Sequence, residues 1–187
     1  PIYWFLKWHE LKLYKEVDKI GVQSNSNIVY FEKVSKLSSI EVLYNFKKPC
    51  LSKIPSSNLR EDLKLQDKVI FVFGGNLGFA QDIDNLLRLV GSLRNEDKFH
   101  FLFIGEGTEF QSIDLWIKTN DAKNITLLAA VSDREYQSIL QVCDVGVISL
   151  RKSFKTDNFP NKIMNYMEYK LPILASINPN NELGELI

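Results

Sequence analysis

From residue 68 onward, apolar runs alternate with amphipathic stretches at a regular spacing. KVIFVFGG (68–75) is continuously apolar and ends in Gly-Gly, the pattern of a strand buried on both faces. DIDNLLRLVGSLRN (82–95) sets Ile83, Leu86, Leu87, Val90 and Leu93 on one face of a helix. FHFLFIG (99–105) is a second strand, followed by a helix that carries Trp116. NITLLA (124–129) is a third. Ser132-Asp133-Arg134-Glu135 then opens a helix as a capping box, with Tyr136, Ile139 and Leu140 behind it. VGVISL (145–150) and LPILAS (171–176) complete five strands.

The expected fold class is therefore α/β, a Rossmann-like parallel sheet with helices on both faces and right-handed crossovers. The first 46 residues have a different texture. A helix over 2–18 precedes a short strand, NIVYFEKVSK reads as helix and IEVLYNF as strand. KKPCLSKIPSSN (47–58) has no periodicity and forms the core of a linker assigned to 47–66. The division expected is the tail of an N-terminal domain (1–46), the linker (47–66), and a ligand-binding domain (67–187) that stops where a new helix begins.

Composition narrows the function. There are 23 basic and 23 acidic residues, so the net charge is zero and a nucleic-acid partner is not expected. Cys50 and Cys143 stand in no metal or redox spacing and read as reduced thiols. His9 and His100 are too isolated for a metal cluster, and His100, inside a strand, reads as structural. No apolar run approaches the ~20 residues that cross a bilayer. PIYWFLKWHELKLYKEV lacks a cleavage signal, and its imperfect apolar spacing (Phe5, Trp8, Leu11, Leu13) suits half-buried packing, with membrane-surface contact as the alternative.

In parallel sheets of this type, ligands bind beyond the carboxyl ends of the strands. That rule selects four loops. GGNLGFAQ holds Gly74, Gly75 and Gly78 without the dinucleotide fingerprint, which disfavours a dehydrogenase. GEGTEF supplies Gly105 and Gly107, either for close approach to a ligand or for a plain turn. AAVSDREY follows the third strand. RKSFKTDNFPNK gathers Arg151, Lys152, Lys155 and Lys162 where Pro160 starts a helix, a combination suited to phosphate. Lys162 is tied to that helix start. Asp157 and Asn165 flank it, and Asp157 reads equally as a cap. No Ser/His/Asp or Cys/His set is present.

With these loops in order, the segments FGGNLGFAQDIDNLL, FIGEGTEF, NITLLAAVSDREYQSILQVCDVGVISL and NFPNKIMNYMEYKLPILASINPNNELGELI resemble the C-terminal, donor-binding half of a GT-B glycosyltransferase. The likeness is greatest to family-4 retaining enzymes of bacterial O-antigen and capsule (lipopolysaccharide and polysaccharide) assembly, in the subgroup that transfers N-acetylated sugars such as N-acetylfucosamine from UDP. The resemblance implies a UDP-sugar donor, a lipid-linked saccharide acceptor and no metal or other cofactor. It also implies a cytoplasmic enzyme, at the inner face of the cytoplasmic membrane through peripheral contact. Asp157 would take the catalytic, sugar-holding position and Asn165 the ribose position, where the family has two glutamates eight residues apart. Gly75, Asn76 and Gly78 would line the nucleotide sugar from the first loop, Gly105 and Glu106 from the second, Val131 and Tyr136 from the third. Asn158, Phe159, Pro160, Asn161 and Lys162 would do so from the fourth.

Three departures from the family pattern stand out. Asn76 and Gln81 replace basic residues, both glutamates are substituted, and Tyr169-Lys170 replaces a small turn. The mechanism implied is front-face displacement, the departing phosphate taking the acceptor's proton, so no protein nucleophile is needed. A complete enzyme would include a full first domain, so this chain is expected to be a truncated piece, inactive by itself. A non-catalytic nucleotide- or phosphate-binding α/β domain, or a UDP-sugar epimerase of the same fold, is the alternative.

Overall fold

The computed structural model describes residues 2–35, 39–48, 54–153, 160–179 and 181–186. These fall into two compact units. One draws on the chain up to residue 46 and on 181–186, the other on 47–153 and 160–179.

The first unit holds α1 (Ile2–Glu16), β1 (Ile20–Val22), α2 (Asn25–Ser35) and β2 (Ile40–Val42). The two strands pair in parallel with α2 as their crossover. Tyr14 of α1 meets Phe31 of α2 edge to face at 5.4 Å. α1 nevertheless buries no residue, and Trp4 is 73% exposed. Half-buried packing was expected. The apolar side chains instead point all round the helix, so no single neighbouring face can cover them.

The second unit opens with α3 (Leu59–Asp62) and continues as β3 (Val69–Asn76), α4 (Ile83–Ser92), β4 (Phe99–Glu106), α5 (Phe110–Asn120), β5 (Ile125–Leu128), α6 (Asp133–Leu140), β6 (Val145–Ser149), α7 (Lys162–Glu168) and β7 (Ile173–Ser176). The five strands are all parallel, in the order β5-β4-β3-β6-β7. α/β alternation with two-faced burial, read from the apolar runs, is the fold observed. Phenylalanines two apart on β3 meet their register partners on β4, Phe71 with Phe101 at 5.1 Å and Phe73 with Phe103 at 5.5 Å. Ile83, Leu86, Leu87 and Val90 of α4 cover the same core. Ser132 Oγ accepts from Glu135 N–H at 3.2 Å, the cap expected from its spacing. His100 is buried, its Nε2 2.9 Å from Thr126 Oγ1 on the adjacent strand.

Two stretches differ from the sequence reading. Within 47–66, α3 and Leu65 fold against the sheet. Leu59 and Leu65 are buried, and the Arg60 guanidinium donates to Val142 O, Leu65 O, Lys68 O and Asp144 Oδ2 at 2.6–3.0 Å. The second is α8 (Leu183–Leu186), which groups with the first unit and not with the domain that precedes it. The Glu182 carboxylate explains this, because it accepts from Asn25 N–H (3.0 Å), Ser26 N–H (2.6 Å) and Ser26 Oγ–H (2.7 Å), filling orphan donors at the start of α2. Among the described residues no helix is long and apolar enough to cross a membrane.

Candidate functional site

The strand order reverses at β3, which is flanked by β4 on one side and β6 on the other. β3 and β6 pair through Phe71–Val145 and Val72–Gly146 and part toward their carboxyl ends, the place where ligands bind in sheets of this type. Tyr166 of α7 fills the base of this parting. Its hydroxyl lies 3.1 Å from Val72 O and 3.2 Å from Val147 O, donating its one proton between them. Gly146 is required beneath the ring, since a Cβ there would stand 2.4 Å from Tyr166 Cγ.

The loops after β3 and β4 are locked together. Leu77 N–H donates to Glu106 O (2.8 Å) and Glu109 N–H to Leu77 O (2.9 Å). Gly75 has φ +105°, is exposed, and would have nothing within 4 Å of an added Cβ, so its backbone faces open space. Gly105 is different: a Cβ there would lie 1.8 Å from Gly75 O, and one on Gly107 2.5 Å from Leu77 O. The close approach these glycines allow is to the neighbouring loop. Replacing Gly105 by alanine should therefore cost about 2–3 kcal/mol in urea unfolding, because only a backbone shift relieves the overlap. A loss under about 0.5 kcal/mol would show that the two loops move independently. Asn76 is exposed and folds over Gly78, while the Glu106 side chain is exposed at the end of β4.

The described basic residues around the loop after β6 have separate surroundings. The Arg151 guanidinium stacks on Phe79 at 3.8 Å, donates to Phe79 O at 2.9 Å and lies 3.6 Å from the Asp84 carboxylate. It is a clamp between the loops that follow β3 and β6. Lys152 is exposed. Lys162 reaches inward, its Nζ 3.6 Å from the Phe73 ring centre and donating to Gln81 Oε1 at 3.1 Å. Burial pushes its amine down to about 7. Its partners are a neutral amide and an aromatic face, so the charge is uncompensated by any carboxylate in these contacts, and an entering anion would restore it.

Pro160 is buried, and Asn161, exposed, stands immediately before α7. One turn into α7, Asn165 Oδ1 accepts from Lys47 Nζ at 2.6 Å. Tyr136 was expected to touch ligand. Its hydroxyl is instead buried against Gly74, where a Cβ would come within 2.1 Å of it, and burial pushes it up to about 12. The hydroxyl thus lies beneath the glycine turn, which Tyr136 supports from below. Val131 is half-buried in the loop after β5, an edge strand two removed from the reversal. Asp157, Asn158, Phe159 and Lys155 lie outside the described residues, as does Cys50. Cys143 is buried and its thiol is pushed up to about 12 by burial, as an inert thiol should be. Among the described residues no group of three or more His, Cys, Asp or Glu side chains is placed to hold a metal ion.

The structure thus brings Lys162 to Gln81, with Gly75 and Asn76 at the end of β3 and Asn165 one turn further along α7. Sequence reasoning missed Lys47 and Tyr166. Lys47 sits in an aperiodic stretch with no local signal. Tyr166 reads as an ordinary apolar position of an amphipathic helix, and only the short β3–β6 ladder reveals what its hydroxyl does.

Residues 56–182 match the family described as glycosyl transferases group 1. Over 120 residues the chain is 28% identical to the probable glycosyltransferase WbjE of Pseudomonas aeruginosa, covering 64% of this chain and 30% of the relative. Among solved structures, S. aureus TarM in a complex that includes UDP superposes with a TM-score of 0.69 at 14% identity, over 93% of this chain and 33% of that one. The pneumococcal O-GlcNAc transferase GtfA with UDP and GlcNAc gives 0.67 at 16% identity, over 94% and 33%. Anabaena HepE with UDP gives 0.64 at 16% identity, over 91% and 47%. The chain therefore spans a third to a half of the length of these relatives.

Proposed function

This chain belongs to the glycosyl transferases group 1, and on that premise we propose that it is the donor-binding portion of a retaining enzyme that transfers a sugar from UDP to a lipid-linked saccharide. The observation that carries the reading is Lys162, an inward amine with no carboxylate partner among the described residues, set between the loops at the strand-order reversal. A diphosphate beyond the carboxyl ends of β3 and β6 would meet this amine and the open backbone at Gly75. The proposed donor sugar is an N-acetylated hexosamine and the proposed setting O-antigen or capsule assembly at the inner face of the cytoplasmic membrane. Two likenesses support this: GtfA is described with UDP and GlcNAc, and WaaB, at a TM-score of 0.59, as a lipopolysaccharide outer core galactosyltransferase.

In the reaction proposed, the bond from the anomeric carbon to the β-phosphate oxygen breaks and the acceptor oxygen bonds to the same face. The acceptor's hydroxyl proton passes to the departing phosphate. Lys162 stabilises charge that grows on that phosphate as the bond breaks, and it does so from an apolar setting where the effect is strongest. Asp157 is assigned to the sugar hydroxyls. The positive charge comes from the protein in this reading, so UDP affinity should be equal in magnesium and in EDTA.

Calorimetric titration of the chain with UDP, UMP and GDP tests the proposal. UDP should bind at least tenfold more tightly than UMP and more tightly than GDP, and UDP-N-acetylglucosamine should compete with it. Indifference to all three nucleotides at millimolar concentration would overturn the assignment.

A further inference from the structure

Lys47 is the first residue of the second unit, and nothing in its neighbourhood of sequence marks it. Its Nζ nevertheless sits between two side chains of α7, 2.6 Å from Asn165 Oδ1 and 2.9 Å from Glu168 Oε2. The Lys47 and Glu168 side chains are 28% and 19% exposed, so the contact is shielded from solvent more than a surface ion pair is. An ammonium can only donate. It therefore holds the Asn165 amide with its oxygen toward Lys47 and turns the Nδ2 hydrogens away from it.

Lys162, Asn165 and Glu168 follow one another at intervals of three, on one side of α7. Their electrostatic states differ along that line. Lys162 faces a neutral amide and a ring, Asn165 is neutral and fixed in orientation, and Glu168 is paired with Lys47. A phosphate gains at the first position. At the second, the neighbouring positive charge is already cancelled, and what remains is a pair of oriented N–H donors. Such donors suit the hydroxyl oxygens of a ribose.

We propose that Lys47 is a positioning residue for the ribose of the bound nucleotide, acting through Asn165 by fixing which end of its amide faces the ligand. This rests on the UDP-binding reading above. It differs from a purely structural ion pair in what it controls, namely the discrimination between ribose and deoxyribose.

The test measures dissociation constants of the chain for UDP, 2′-deoxy-UDP, 3′-deoxy-UDP and pyrophosphate by calorimetry, with Lys47→Met, Lys47→Arg, Asn165→Leu and the Lys47→Met/Asn165→Leu double variant. The unchanged chain should prefer UDP over at least one deoxy form by roughly tenfold, the worth of a hydrogen bond to a fixed donor. Lys47→Met should collapse that preference to within about twofold while leaving pyrophosphate affinity unchanged, and Lys47→Arg should restore it. Asn165→Leu should cause the same collapse, and adding Lys47→Met to it should change nothing further, since the two act in series. A preference that survives Lys47→Met, or effects that add in the double variant, would overturn the assignment. Thermal melts accompany each titration, and if Lys47→Met does not fold, the Arg variant and Asn165→Leu decide. Loss of the preference in Lys47→Arg, or its survival in Asn165→Leu, overturns the proposal. Failure of the unchanged chain to bind UDP at all would fall on the proposed function itself, and this inference would fall with it.

Discussion

Lys162→Met is expected to weaken UDP binding roughly thirtyfold, the scale of a charge-assisted contact to phosphate, while thermal stability stays level or rises. The two readouts part because the folded protein holds the amine at a cost. Burial lowers its pKa from the usual 10.5 to about 7. In the unfolded chain the amine stays protonated up to 10.5, so between about pH 7 and 10.5 the unfolded state binds more protons than the folded one. This group therefore adds stability as pH rises through that window, and the contribution is lost again as pH falls back to 7. Binding a diphosphate has the opposite preference, because it needs the ammonium. UDP affinity should fall by up to tenfold per pH unit above 7, with proton uptake visible as a dependence of binding enthalpy on the buffer. In Lys162→Met that slope should vanish. Unaltered affinity in the variant, or a flat pH profile in the unchanged chain, would remove Lys162 from the phosphate site.

Arg60→Ala should cost about 3–4 kcal/mol of unfolding free energy, measured by urea denaturation. The side chain donates to three carbonyl groups and to Asp144, whose Oδ2 also accepts from Ile70 N–H at 2.7 Å. Removing the guanidinium strands these acceptors, several of them half-buried, and leaves the Asp144 carboxylate without its cation. Asp144→Asn should be milder, about 1 kcal/mol, since an amide oxygen can still serve Ile70. If Arg60→Ala cost less than about 1 kcal/mol, the stretch before β3 would be the dispensable linker that its composition suggests.

How far this was legible from the sequence differs by element. The five strands of the second unit were readable because parallel strands buried on both faces must be apolar at nearly every position, and few other segments are. The helix face of α4 followed from its period for the same reason. α1 misled, since a helix apolar all round says that it needs covering but not what covers it. Arg60 was invisible because a guanidinium that satisfies carbonyl groups has no periodic signature. Glu182 was invisible because its partners at Asn25 and Ser26 lie more than 150 positions away in the chain.

At the candidate site, the placement of loops could be read and side-chain contact could not. The rule that ligands lie beyond the carboxyl ends of parallel strands singles out the loops after β3, β4, β5 and β6 from the strand pattern alone. Of the basic residues gathered in the loop after β6, however, Arg151 is spent on Phe79 and Asp84, and Tyr136 lies beneath its glycine turn. Charge and spacing are local properties, whereas the partner that neutralises a charge or covers a hydroxyl arrives from elsewhere in the chain.

By itself, then, the sequence determined the α/β alternation, the burial of the sheet and the loops at the carboxyl ends of its strands, because hydrophobic period and turn chemistry act over a few residues. The tertiary structure alone decided which strands part, which lysine is buried against a ring and a neutral amide, and that Lys47 orients Asn165. Those outcomes depend on groups brought within 3–4 Å of each other by the strand order β5-β4-β3-β6-β7, and no local pattern encodes that order.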